Sequence, residues 1–194
     1  MTAVVILAGG EGRRIGGDKP HRLLAGKSLL DRAIGQARGW SNLIAISSRP
    51  QTPAYSYKDI PLLDDKSDRG PISGIGSALT FAREHGVDRV LTIPCDTPFL
   101  PAELCDRLNE ALTPRTGVAL AASGGRTHPT CGLWRVTNLK DLSTYLASGR
   151  ASLRGFAEVI CAIEVEWSNE PADPFFNINT ANDLAAAEVM LKIR

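Results

Sequence analysis

The sequence predicts a three-layer α/β/α domain built on a mainly parallel central sheet. Three observations carry the prediction. Short β-rich apolar runs alternate with stretches of helical spacing through the first half of the chain, an order that right-handed crossovers turn into a parallel sheet with helices on both faces. The first run, Val4-Val5-Ile6, passes directly into Leu7-Ala8-Gly9-Gly10-Glu11-Gly12-Arg13-Arg14-Ile15-Gly16-Gly17-Asp18-Lys19, where five glycines stand among two arginines and a lysine. Finally, 194 residues with 43% apolar content suffice for one well-buried core and are short for two.

Taken in order, residues 4–6 form the first strand. Residues 29–37 carry apolar positions at helical spacing behind Ser28, a candidate N-cap. Residues 43–46 are β-rich and bounded by polar residues, which makes them the second strand. The third, 60–63, contains Pro61, so its start lies at an edge or outside the ladder. A helix over 73–84 and a central buried strand over 89–93 complete the first half. Beyond it, 118–122, 131–135 and 160–167 are strand candidates, interleaved with helices near 139–146 and 153–158. The Gly-Gly-Arg-Thr stretch at 123–127 is a hairpin or flexible tip. A final helix covers 181–193, with Thr180 as its candidate cap.

Charge and cysteine usage exclude several classes. A net charge of +1 provides no basic field for gripping many phosphates of a polynucleotide, so no nucleic-acid partner is expected. No apolar stretch approaches the length of a membrane span, and the N-terminus lacks the layout of a secretory signal, so a soluble, cytoplasmic protein without a membrane partner is expected. The four cysteines are scattered without a C-x-x-C pair, which argues against a metal cluster. Cys95, behind Ile93-Pro94, reads as a small buried hydrophobe rather than a nucleophile.

The glycine-rich loop is shaped for an anion. Glycine lets backbone N–H groups approach phosphate oxygens closely, and Arg13, Arg14 and Lys19 supply formal charge. Neither standard phosphate loop fits it. Ile15 stands where a dinucleotide-binding fingerprint needs its third glycine, and Lys19 is displaced and followed by Pro20 instead of a hydroxyl residue. In open α/β sheets ligands bind beyond the carboxyl ends of the strands. The first loop, the Asp64-Asp65 pair and Asp96 would share that rim.

The loop is similar to the nucleotidyltransferase pattern L-A-G-G-x-x-x-R-x-G-G-x-D-K, shortened by one residue before Asp18. Four more stretches extend the likeness: Gly70-Pro71-Ile72-Ser73-Gly74-Ile75, Pro94-Cys95-Asp96-Thr97-Pro98-Phe99-Leu100-Pro101, His128-Pro129-Thr130-Cys131-Gly132-Leu133-Trp134 and Phe176-Asn177-Ile178-Asn179-Thr180. Together they span almost the whole chain in order, and the chain resembles the molybdenum cofactor guanylyltransferases, which join GMP from GTP to molybdopterin. The resemblance implies a Rossmann-like sheet of the nucleotide-diphospho-sugar transferase type and a single nucleotidyltransferase domain over 1–194. A nucleotide-binding lobe would cover about 1–115 and an acceptor lobe about 116–194. It also implies Mg²⁺, with GTP and molybdenum-loaded molybdopterin as substrates and pyrophosphate as product. Handover of the product implies contact with molybdoenzymes or delivery chaperones.

By the same resemblance Arg13, Lys19 and Asp96 are the catalytic set, with Asp96 the metal ligand. Leu7, Ala8, Gly9, Gly10, Lys19, Ser47, Asp65 and Asp96 would contact GTP, and His128, Asn177 and Asn179 the acceptor. The chemistry is coherent. Nucleotidyl transfer sets an acceptor phosphate against the α-phosphorus while pyrophosphate leaves, so negative charge must be screened on both sides. Lysine serves there as a mobile point charge and arginine as a planar fork, while Asp96 offers hard oxygens to Mg²⁺. Asp64 or Asp65 would accept from the guanine edge. Where the family carries N-x-N after the second strand, this chain has Ser47-Ser48, and either serine is the substitute. Asn177 and Asn179, two apart at a strand end, would share one face, or else form an Asx turn before Thr180. His128 is a structural or acceptor-side residue; an ionised acceptor phosphate needs no general base. Rival readings are a molybdopterin cytidylyltransferase, whose loop resembles L-A-A-G, a sugar-1-phosphate nucleotidyltransferase, and a non-catalytic nucleotide-binding or cofactor-delivery module.

Overall fold

A computed structural model describes residues 1–9, 18–48, 59–64 and 69–193. The chain runs through β1 (Thr2–Leu7), a small hairpin of β2 (Leu23–Leu24) and β3 (Lys27–Ser28), α1 (Leu29–Trp40), β4 (Ile44–Ser48), β5 (Leu62–Asp64), α2 (Pro71–Glu84) and β6 (Arg89–Pro94). It continues with α3 (Leu104–Ala111), β7 (Val118–Ser123), β8 (Arg126–Arg135), α4 (Leu139–Ala147), α5 (Leu153–Val159), β9 (Ile163–Trp167) and α6 (Ala181–Ile193). Seven strands form one sheet in the order β5-β4-β1-β6-β8-β7-β9. All neighbours are parallel except those of β8, which runs against both β6 and β7.

The β-rich runs become strands because their alternating residues meet a helical layer on each side. From β1, Val4 and Ile6 join Leu30, Ala33 and Ile34 of α1 and Leu104 and Leu108 of α3. Its other residues, Ala3 and Val5, join Ile72, Ile75 and Leu79 of α2, with Leu142 of α4 and Phe156 of α5. A strand buried on both faces needs a near-continuous apolar run; β1 has one in residues 3–7, and in β6 the run is broken by Thr92. Burial of each valine, isoleucine or leucine contributes about 1.5–3 kcal/mol. The one polar residue inside β6, Thr92, is fully buried and satisfied: its Oγ1 accepts from Trp134 Nε1 at 2.9 Å. A third cluster of Leu24, Leu29, Phe99, Ile178 and Ala187 packs the small hairpin and α6 against the rim of the sheet.

Several local expectations are met in detail. Ser28 Oγ accepts the N–H of Asp31 at 3.0 Å and starts α1. Pro61 precedes β5, and its carbonyl accepts from Ile46 N at 3.0 Å. The β7–β8 turn carries Gly124 and Gly125 at φ 55° and 73°, the paired positive values of a tight hairpin. Other features depart from expectation. Antiparallel β8 begins at Arg126, five residues before the expected strand, and bulges where the pairing steps from Leu120↔Gly132 to Ala121↔His128. Pro129 lies in that bulge, where a residue without an N–H is tolerated. The strand expected over 160–167 starts only at Ile163, because α5 runs to Val159 and Cys161 turns the chain at φ 56°. Helix α3 has no counterpart among the expected elements. Asn177 and Asn179 lie in no strand: residues 176–179 belong to no regular element, and the Ile178 N–H donates to the Asp96 carbonyl at 3.0 Å.

Candidate active site

The strand order reverses at β1: the chain crosses to β4 on one side, while β6 lies on the other. Such a switch point opens a crevice at the carboxyl ends of the strands. Here the strand ends are stitched together by backbone bonds, Ala8 N to Ser47 O at 2.8 Å and Cys95 N to Leu7 O at 3.1 Å. A cavity of about 250 Å³ sits directly above them, lined by Leu7, Gly9, Lys19, Ser47, Asp96 and Asn177 among others.

Lys19 is the centre of this cavity. It opens a short 3₁₀ turn, Lys19–His21, in which Pro20 presets the backbone, and it is only 7% exposed. Its ammonium pairs with Asp96 Oδ2 and donates to Asn179 Oδ1 at 2.8 Å, with Asn177 Oδ1 at 3.5 Å. Three oxygens thus face a group with three donors. Desolvating an ion pair is costly unless further hydrogen bonds complete it, and the two asparagine amides do so. Residues far apart in sequence, 19, 96, 177 and 179, therefore form one cluster.

Asp96 stands on the loop after β6. That loop is stiffened by Thr97 Oγ1, which donates to Pro94 O at 3.1 Å, and by Gln36 of α1, whose Nε2 donates to Pro98 O at 3.1 Å. While Lys19 occupies Oδ2, the buried Oδ1 of Asp96 has no hydrogen-bond partner among the described residues. Leaving such an oxygen unpartnered costs about 1–3 kcal/mol or more for a charged group. A hard divalent cation is the chemical match for it, since Mg²⁺ takes one or two carboxylates and keeps waters for its other positions. The described residues contain no group of three or more His, Cys, Asp or Glu side chains that could hold a metal by themselves. Asp96 would thus act with substrate phosphates.

The N-terminal end of α2 lines the same cavity through Gly70, Pro71 and Gly74. The sequence pointed here only through the resemblance, without a role. Gly70 caps the helix at φ 74°, and a Cβ on Gly74 would stand 2.9 Å from Leu7 Cδ2 and 3.3 Å from Ser47 Oγ. Helix and strand ends approach closely because this position has no side chain. The helix start adds a positive dipole end to the cavity wall. Thr130, on the bulge of β8, and Cys95 line the cavity too. Burial and then the adjacent Asp96 carboxylate push the Cys95 thiol well above its ordinary range, which leaves it inert as a nucleophile.

Other expected residues lie as follows. Leu7 and Gly9 line the cavity, and Ala8 is buried beneath it as the link between β1 and β4. Ser47 lines the cavity, whereas Ser48 is buried beside β5 with Asp64 as its register partner. Gly10, Arg13, Arg14 and Asp65 lie outside the described residues. His128 is not among the lining residues. Its ring stacks on Phe175 with centroids 4.7 Å apart, and its Nε2 lies 2.8 Å from Ser123 Oγ. Ser123 Oγ donates its only proton to Asp173 Oδ1 at 2.8 Å, so Nε2 of His128 is the protonated nitrogen and donates to Ser123. Burial lowers the His128 pKa below its ordinary value, against the opposing pull of Asp173.

The chain also matches known proteins in sequence and in fold. Residues 4–161 match the MobA-like NTP transferase domain. The chain is 39% identical over 189 residues to a molybdenum cofactor guanylyltransferase of Cereibacter sphaeroides, covering 97% of this chain and 96% of the relative. A protein of the same name from Acidiphilium cryptum is 40% identical over 188 residues, covering 95% and 92%. Among solved structures, molybdopterin-guanine dinucleotide biosynthesis protein A from Archaeoglobus fulgidus superposes with a TM-score of 0.78 at 21% identity, over 100% of both chains. The 2-C-methyl-D-erythritol 4-phosphate cytidylyltransferase from Thermus thermophilus superposes with a TM-score of 0.69 at 18% identity, over 98% of both. The fold is thus that of α/β nucleotidyltransferases. Within them the chain belongs to the MobA-like NTP transferase family, beside relatives named molybdenum cofactor guanylyltransferase.

Proposed function

We propose that this protein transfers GMP from GTP to molybdenum-loaded molybdopterin, forming the guanine dinucleotide form of the cofactor and pyrophosphate. What carries the reading is Asp96 at the switch point of the sheet, with one oxygen paired to Lys19 and the other unpartnered, in a chain 39% identical to guanylyltransferases. The nucleotide lies in the cavity with its triphosphate against Lys19, Arg13 and the loop of Leu7, Ala8, Gly9 and Gly10. Ser47 and Asp65 contact ribose and base. Residues about 116–194 form the acceptor side, where Asn177 and Asn179 receive the pterin, while His128 stays held against Phe175 and Ser123.

Nucleotidyl transfer generally draws on a divalent cation. Asp96 Oδ1 would hold Mg²⁺, and the ion when bound neutralises charge on the α-phosphate and on the leaving pyrophosphate. Lys19 would add its own positive charge against the growing charge of the transition state, its position set by Asn177 and Asn179. The acceptor phosphate arrives ionised, so no protein base is needed. No helix among the described residues is long and apolar enough to cross a membrane. We further propose that the protein works in the cytoplasm and passes its product to molybdoenzymes or a delivery chaperone.

Pyrophosphate release tests the reading, measured with Mg²⁺ and molybdenum-loaded molybdopterin and with GTP or CTP under identical conditions. Release with GTP and not CTP is the expected outcome. Release with CTP would overturn the base assignment, and no release with either would overturn the reaction.

A further inference from the structure

We propose that Asp183 is a positioning residue for this site: its carboxylate holds Asn179, and Asn179 in turn holds the Lys19 ammonium beside Asp96. Asp183 stands in the first turn of α6 and lines no part of the cavity. Its Oδ2 accepts the N–H of Thr180 at 2.8 Å, while Thr180 Oγ1 accepts the N–H of Asp183 at 3.1 Å. Those two reciprocal bonds are all that a capping box requires.

The same Oδ2 makes a third bond that capping does not call for. It accepts the N–H of Asn179 at 2.9 Å, one residue outside the cap. Asn179 is the residue whose Oδ1 receives the Lys19 ammonium at 2.8 Å. One position earlier, the Ile178 N–H donates to the carbonyl of Asp96, and the Ile178 side chain is buried beside Phe99 and Leu24. Consecutive backbone groups at 178 and 179 are therefore tied to Asp96 and to Asp183. A lysine on a flexible four-carbon stem cannot define its own place; the acceptors around it do. Of those acceptors, Asp96 is built on the loop after β6, and Asn179 is tied by its own N–H to α6 through Asp183.

The kinetic part of the test rests on the guanylyl-transfer reading; the spectroscopic part does not. Asp183→Ala, Asp183→Glu, Thr180→Ala, Asn179→Ala and the Asp183→Ala/Asn179→Ala pair are compared by pyrophosphate release from GTP. The ¹H–¹⁵N signals of the lysine ammonium groups are recorded on the nucleotide-free proteins. Asp183→Ala is expected to lower kcat on the order of 10²-fold with little change in KM, the scale of an ångström-sized misplacement. Thr180→Ala removes the other half of the cap and leaves kcat near wild type. Asp183→Glu restores kcat, since it returns a carboxylate that can accept from the N–H of Asn179 as well as that of Thr180. The double variant is no slower than Asn179→Ala alone. The Lys19 ammonium signal, present in wild type and Thr180→Ala, is lost in Asp183→Ala. Equal effects of Asp183→Ala and Thr180→Ala, multiplying losses in the double variant, or survival of the Lys19 signal in Asp183→Ala would each overturn the proposal. If wild type releases no pyrophosphate from GTP, the functional reading fails, and the ammonium spectrum still decides the role of Asp183.

Discussion

Two polar clusters hold the segment before α6 to the sheet, and they are completed to different degrees. In one, Ser123, His128 and Asp173 satisfy each other: one hydroxyl bridges a ring nitrogen and a carboxylate, the same carboxylate oxygen accepts the Phe175 N–H at 2.9 Å, and Phe175 covers the ring. In the other, Lys19, Asp96, Asn177 and Asn179 complete the lysine but leave Asp96 Oδ1 without a partner among the described residues. Each is built around one buried residue, Lys19 or Ser123, and both join residues distant in sequence. A closed network specifies a conformation. An open valence on a buried carboxylate is tolerated where a ligand completes it, and only the second cluster lies in the cavity at the switch point.

The comparison breaks most sharply at Asp96. Asp96→Asn preserves shape and removes the charge, and a loss of about 3 kcal/mol or more in transition-state stabilisation is expected, over a hundredfold in kcat/KM. Near-normal pyrophosphate release would sink the division between an open and a closed cluster. Lys19→Met comes next, keeping much of the stem while removing the cation. It should cost at least about tenfold in kcat/KM for GTP, and it should destabilise the fold by about 1–3 kcal/mol at neutral pH because Asp96 is left without its partner. Denaturant titration reads the stability and GTP kinetics the function; unchanged values in both would make Lys19 an ordinary cation.

The closed cluster sharpens the contrast with a smaller effect. Replacing His128 by glutamine should cost about 1 kcal/mol, or roughly 2–4 °C in Tm for a chain of this size. Because burial lowers the folded-state pKa of His128, its stabilisation is fully present above the unfolded value of about 6.5 and fades as pH falls through the lower folded value. The Tm gap between wild type and His128→Gln should therefore narrow below about pH 6.5. A gap that widens in acid would show that the ring is held protonated.

Much of the first half was legible because its signals are local. Val4-Val5-Ile6 is an apolar run and 89–93 carries Val90, Leu91 and Ile93, both of a length that suits strands buried on both faces, and Ser28 caps α1 as its position suggests. Helix α3 was not legible, since only Leu104 and Leu108 among its eight residues are buried and the helical stripe is too thin to stand out. Nor was the direction of β8: an antiparallel insertion depends on which strand it pairs with, and the alternation of residues is the same either way. At the site, Asp96 and Lys19 could be singled out by the loops that carry them. Their pairing could not, and neither could the departure of His128 from the cavity lining, which follows from the bulge at Leu120/Ala121 and from its stacking on Phe175.

By itself the sequence determined the layering and the strand alternation, because periodicity and capping act between near neighbours, and five motifs in order carried the resemblance to the family. Only the tertiary structure decided that Lys19 is buried against Asp96, that two asparagines outside any strand complete it, and that α6 reaches back through Asp183 to one of them. The contacts of Lys19 span 77 to 160 residues of chain, whereas Asp183 reaches Asn179 over four. Their energy comes from charges and polar groups pairing against the cost of leaving water, which no local pattern records.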